Sequence, residues 1–204
     1  MDRLPPKREE LHKAAADVIA ILKTIPEFQD SKIAVIGGLA VWNYLQSGRT
    51  TKDVDFIVNI DSTPHGVKSK LLALENSPFV QLAQVFMYQA PNGRKIQIGI
   101  THESSAPYFP EAAMKIKNVP NGKVPYISPT DLIVFKMFCC GRRLLMDKKR
   151  VDAMDAMDLV LYQNQVSKIE LSPETRKIIE PCIDNVVKYG EKSKDWWRTQ
   201  LGFS

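Results

Sequence analysis

The chain has 204 residues, 44% of them hydrophobic and 25% charged. That is the make-up of a folded globular protein and excludes a disordered or low-complexity one. Net charge is +5, from 28 basic and 23 acidic residues, a balance that suits anionic ligands such as nucleotides and gives only weak support for a nucleic-acid partner.

The opening segment, Met1 to Arg8, carries charge but no apolar stretch, which predicts no secretory leader. No apolar run approaches the roughly 20 residues that cross a bilayer, so no membrane partner is expected. Cys139, Cys140 and Cys182 make an odd number without metal-ligand spacing. They read as buried thiols, and a reducing, cytoplasmic location is expected. His12, His65 and His102 are scattered, and no pair has the spacing of a zinc site.

In chain order, Leu11, Ala15, Val18, Ile19, Leu22 and Ile25 recur near the 3.6 period and predict a helix over 8–25, stopped by Pro26. Residues 32–36, Lys-Ile-Ala-Val-Ile, read as a strand ending at Gly37-Gly38. A helix over 39–46 follows, closed by Ser47-Gly48. Residues 53–60 begin with the alternation of a second strand. Pro64 opens a helix to Leu74. Strands near 83–89 and 95–101 flank Pro91-Asn92-Gly93, the turn signal of an antiparallel hairpin. Residues 102–123, rich in proline, read as a long irregular excursion.

From Ser128 the character changes. Ser128-Pro129-Thr130-Asp131 is a helix start, with Ser128 as cap and Pro129 in the first turn. Helices are expected over 129–140, 147–163 and 173–189. The chain therefore divides at 127/128 into a mixed α/β core with an N-terminal helix and a helical C-terminal region packed on it.

The chemistry concentrates in Gly37-Gly38 and Asp53-Val54-Asp55. Two aspartates one residue apart on a strand share a face, about 7 Å apart along the chain. Such like charges repel unless a cation lies between them, and hard cations such as Mg²⁺ suit carboxylate oxygens together with substrate phosphates. A side-chain-free turn before a helix lets the backbone approach a phosphate. Arg49 and Thr51 share the aspartates' parity if the extended backbone begins early, which would bring Arg49 to a carboxylate or phosphate and makes both of them candidates for binding the nucleotide's phosphates.

Gly37-Gly38, one helix, then Arg49-Thr50-Thr51-Lys52-Asp53-Val54-Asp55 resembles the signature of the nucleotidyltransferase (DNA polymerase beta-like) superfamily. The likeness is to its small stand-alone members: minimal nucleotidyltransferases, antibiotic nucleotidyltransferases and AbiEii-type toxins. The segment Pro129 to Lys136, with Arg142 and the helix carrying Asp152 to Asp158, resembles the part that follows the core. The resemblance implies a mixed nucleotidyltransferase-type sheet flanked by helices. It implies phosphate binding at Gly37 and Gly38, and two Mg²⁺ ions on Asp53 and Asp55. The expected activity is transfer of a nucleoside monophosphate from a nucleoside triphosphate to a hydroxyl on a small molecule, protein or RNA end.

One departure stands out. The family's third acidic residue belongs on a later strand, here Lys95-Ile96-Gln97-Ile98-Gly99-Ile100, where Gln97 and Gly99 have the right parity and neither is a carboxylate. Three explanations stay open: a carboxylate from Glu103 or Asp61, a shifted alignment, or a domain that binds nucleotide or a protein partner without turnover. Lys136 is a second phosphate candidate, weighed against a lysine snorkelling at the helix surface. Asp152, Asp155 and Asp158 read as a solvated acidic stripe facing the basic 142–150 segment, itself read as a solvated helix–helix connection. Trp196-Trp197 read as packing for the terminal segment.

Overall fold

The computed structural model describes residues 4–46 and 49–203; the helix end expected at Ser47-Gly48 lies outside them. Contacts divide the chain into two units: residues 4–43 with 49–127, and residues 44–46 with 128–203. The first holds every strand.

Its first helix, α1 (Arg8–Lys23), buries Leu11, Ala14, Ala15, Val18, Ile19 and Leu22 along one stripe. Pro26 begins a separate 3₁₀ turn, Pro26–Phe28. Strand β1 (Lys32–Ile36) runs directly into α2 (Gly37–Tyr44), which begins at the glycines themselves, two residues earlier than the apolar pattern suggested. Gly37 has φ of 69°, the left-handed conformation that bends a strand sharply into a helix. Strand β2 (Asp53–Val58) and helix α3 (His65–Leu72) follow. Then come β3 (Phe79–Leu82), β4 (Val85–Gln89) and β5 (Lys95–His102).

The six strands form one sheet in the order β3-β4-β5-β2-β1-β6, where β6 is Met114–Lys115. Strands β2 and β5 are parallel and every other pair is antiparallel, including the β4–β5 hairpin. Two strands escape the sequence pattern. β3 is four residues long, and β6 spans two residues inside the proline-rich excursion, where it pairs Lys115 and Met114 with Lys32 and Ile33 of β1. The excursion therefore closes an edge of the sheet that would otherwise stand open.

The sheet has two chemically different faces. Val54, Phe56, Phe86, Tyr88, Ile96, Ile98 and Ile100 are buried on one, where α1 packs and the Tyr88 hydroxyl donates to Asp17 at 3.0 Å. The other presents Asp53, Asp55, Met87, Lys95, Gln97 and Gly99, all half-buried or exposed. Strand alternation alone places these six together, because partners in register share a face.

The second unit is helical: α4 (Pro129–Arg142), α5 (Met146–Val166), α6 (Pro173–Ile179), α7 (Ile183–Tyr189) and α8 (Lys194–Gln200). Ser128 caps α4, its hydroxyl accepting from the Asp131 N–H at 3.0 Å. The single helix expected over 173–189 is split at Pro181, whose ring cannot continue the ladder. Trp197 is buried and meets Trp196 edge-on, 5.0 Å between centroids. Cys140 is buried, while Cys139 and Cys182 are half-buried, and all three are free thiols.

Two of the three aspartates of α5 correct the sequence reading, while Asp158 is exposed as that reading expects. Asp152 and Asp155 are 2% and 4% exposed, so they form no solvated stripe. They close on Lys136, which is 5% exposed and whose ammonium lies 2.9 Å from Asp152 and 2.8 Å from Asp155. Arg143 Nε adds a second contact to Asp152 at 2.8 Å. A buried cation requires counter-charge, and two turns of α5 supply it. Burial pulls the Lys136 pKa down, but Asp155 and Asp152 together outweigh it, and the net displacement is upward. Among the described residues, no helix is long and apolar enough to cross a membrane.

Candidate nucleotide site

On β2, Val54 and Phe56 are anchored in the core, which turns Asp53 and Asp55 to the opposite face. Across the parallel ladder, Gln97 stands opposite Asp53 and Gly99 opposite Asp55. On the other side, Ile36 stands opposite Asp55, with Gly37 next in the chain. Asp55 is therefore flanked by two positions without side chains, and its carboxylate occupies the room both leave. A Cβ at Gly99 would strike Asp55 Oδ1, and one at Gly37 would strike Asp55 Oδ2.

Thr51 fixes the other carboxylate. It is buried, 7% exposed, and its hydroxyl donates to Asp53 Oδ1. A Cβ on Gly38 would come within 2.6 Å of that hydroxyl and 2.8 Å of Thr51 Cβ. Gly38 is thus required by close packing, so the Gly-Gly pair supports each aspartate separately. Thr51 acts on the site through Asp53. Strand β2 begins at Asp53, so the extended backbone does not reach back to Arg49. Arg49 is exposed in the segment before the strand, its guanidinium 3.4 Å from the Thr50 carbonyl.

Register also gives the positions of the sequence candidates for a third carboxylate along the strands. The parallel pairing sets Gln97 beside Asp53 and Gly99 beside Asp55. Glu103 follows His102, which pairs with Val58 three rungs farther on, roughly 10 Å along the strand. Asp61 lies beyond the end of β2 in the same direction. Among the described residues, no cluster of three His, Cys, Asp or Glu side chains is placed to hold a metal. The donor set is two carboxylates on one strand. That is enough for a single Mg²⁺ completed by phosphate and water, since this ion ordinarily takes one or two protein carboxylates.

A concavity of about 820 Å³ opens on the same unit, lined by Lys52, Met87, Lys95 and Gln97 among others. Gln97 is the register partner of both Asp53 and Met87, so this space adjoins the first aspartate. Lys52 and Lys95 are exposed, which gives the approach a positive field. Lys136 belongs to the helical unit, where two carboxylates hold its ammonium, and it does not stand free for a phosphate.

Replacing Gly99 tests the slot directly. Gly99→Ala meets the far end of a flexible side chain, so the Asp55 carboxylate turns aside and the fold survives. The expected result is a thermal midpoint within a few degrees of wild type and about tenfold weaker Mg²⁺-nucleotide binding, a loss of roughly 1.4 kcal/mol. Calorimetric unfolding and titration of the same samples measure both.

No family model matches the chain, and no curated protein matches it in sequence. In three dimensions it is similar to an antigenic nucleotidyltransferase-like protein from Paracoccidioides brasiliensis. The TM-score is 0.65 at 19% identity, covering 98% of this chain and 96% of that one. At that identity the likeness speaks to fold and not to activity. The CCA-adding enzyme of Thermotoga maritima, complexed with tRNA, aligns over 92% of this chain and 50% of its own with 13% identity. Its TM-score of 0.30 is too low to define a shared fold. The mixed sheet, its flanking helices and the likeness across nearly the whole chain lead to one conclusion: this protein has a nucleotidyltransferase-type fold.

Proposed function

We propose that the Asp53–Asp55 face binds a nucleoside triphosphate through one Mg²⁺ ion, as a nucleotidyltransferase-type domain reduced to its nucleotide-binding half. The observation that carries this reading is the pair of rung partners in the parallel ladder, Gln97 beside Asp53 and Gly99 beside Asp55, neither of them the third carboxylate that the family resemblance implies. Asp53 and Asp55 would hold the Mg²⁺, which would supply charge neutralisation for the polyphosphate. Thr51 holds the Asp53 carboxylate and the Gly37 and Gly99 positions leave room for that of Asp55, so both are set in place before any ion would bind. Backbone N–H groups in the first turn of α2 lack intrahelical partners and face the phosphates at Gly37-Gly38. With no further carboxylate beside Asp55, nothing at this rung takes the proton from an attacking hydroxyl.

Full transfer of a nucleoside monophosphate to a hydroxyl acceptor is the second reading. It is favoured by the concavity beside Asp53, where Lys52, Lys95 and Gln97 offer room for an acceptor. Titration calorimetry with ATP separates the two when paired with a pyrophosphate-release assay. The expected outcome is binding with Mg²⁺, none in EDTA, and no pyrophosphate above the protein-free control. Steady pyrophosphate release that Asp53→Asn abolishes would establish transfer instead. ATP binding unaffected by EDTA would remove both readings.

A further inference from the structure

The α4–α5 corner carries an exposed apolar tip within a basic frame. Leu144, Leu145 and Met146 are 96%, 67% and 52% exposed, three consecutive apolar side chains in water. Isolated exposed leucines are ordinary, but a contiguous run at the end of a helical hairpin marks an interaction site. Arg142 and Arg143 precede the run, and Lys148, Lys149 and Arg150 follow it, with Asp147 the lone acid. Lys148 is exposed, and Arg142 lies over the Phe138 ring, 3.9 Å from its centroid.

The tip is also held in place. Asp152 accepts from Lys136 in the core of the hairpin and from Arg143 at the base of the connection, tying both helices together just below the exposed residues. A tip braced in this way has less backbone to order on contact, which leaves chiefly the side-chain cost.

We propose that this corner inserts Leu144, Leu145 and Met146 into the surface of an anionic lipid bilayer, with the exposed Arg142, Lys148 and Arg150 on the headgroups while Arg143 stays on Asp152. Apolar side chains bracketed by cations match the two layers such a surface offers, hydrocarbon beneath negative charge. A single-stranded RNA would use the cations and leave the leucines in water, and is the disfavoured alternative. The length criterion that excludes a spanning helix does not bear on a peripheral contact.

Cosedimentation of the full chain with vesicles of phosphatidylcholine, with and without about 30 mol% phosphatidylserine, tests this. The expected result is binding to the anionic vesicles alone, weakened about tenfold or more by Leu144→Ser/Leu145→Ser and also weakened by salt. Both leucines are solvent-exposed, so the double variant folds, and circular dichroism verifies it. The Leu144→Trp variant should show a blue shift in the emission of the introduced indole on anionic vesicles. The proposal is overturned if wild type ignores these vesicles. It is equally overturned if the double serine variant binds them as well as wild type, or if the protein binds an oligouridine probe in a manner that the serines leave unchanged.

Discussion

Asp53→Asn and Asp55→Asn are each expected to weaken Mg²⁺-ATP binding by about a hundredfold or more, a loss near 2.7 kcal/mol. Each removes one of the two negative charges that the strand alternation directs at the ion, and an amide oxygen is a poor ligand for a cation that demands near-ideal geometry. Neither variant should unfold the protein. Both side chains lie on the half-exposed face, and the amide oxygen at 53 still accepts from Thr51. Relief of like-charge repulsion should leave the metal-free thermal midpoint unchanged or slightly higher. Titration calorimetry on both variants, beside thermal unfolding, reads the affinity and the fold separately. A variant that binds Mg²⁺-ATP as wild type does would show that its carboxylate is no ligand.

The second large effect concerns stability. Lys136→Met is expected to cost about 3–5 kcal/mol, because it leaves Asp152 and Asp155 buried without their shared cation. Whole domains are stable by only about 5–15 kcal/mol, so the loss should appear as early melting of the helical unit in urea, followed by circular dichroism. The triple variant Lys136→Met/Asp152→Asn/Asp155→Asn removes the charges together and should recover most of the loss. Arg143→Ala should cost under about 1 kcal/mol, since that side chain is 49% exposed and water screens its charge. A single Lys136→Met variant as stable as wild type would mean the buried network contributes nothing.

What the sequence disclosed and what it hid follow from the same physics. Gly37-Gly38 and the Asp53-Val54-Asp55 alternation were legible because a tight bend and a two-residue period are local signals. The parity of Gln97 and Gly99 was legible for the same reason, and the parallel register then set those residues beside Asp53 and Asp55. Strands β3 and β6 were invisible because four and two residues are too few to show a period. Asp152 and Asp155 of α5 were misread because three-residue spacing of acids looks like a wet helix face, and a lysine sixteen positions before Asp152 gives no local hint of pairing. Thr51 was placed by parity as a ligand contact; its packing against Gly38 depends on neighbours distant in sequence.

The number of metal ions in the nucleotide complex is the most direct test. Mn²⁺ substituted for Mg²⁺, with a non-cleavable α,β-methylene ATP analogue, can be counted by electron paramagnetic resonance as bound ion per chain. One Mn²⁺ per nucleotide complex, lost in Asp55→Asn, is expected of a carboxylate pair with Gly99 beside it. Two spin-coupled Mn²⁺ ions in the same complex would contradict the account and restore a complete catalytic site.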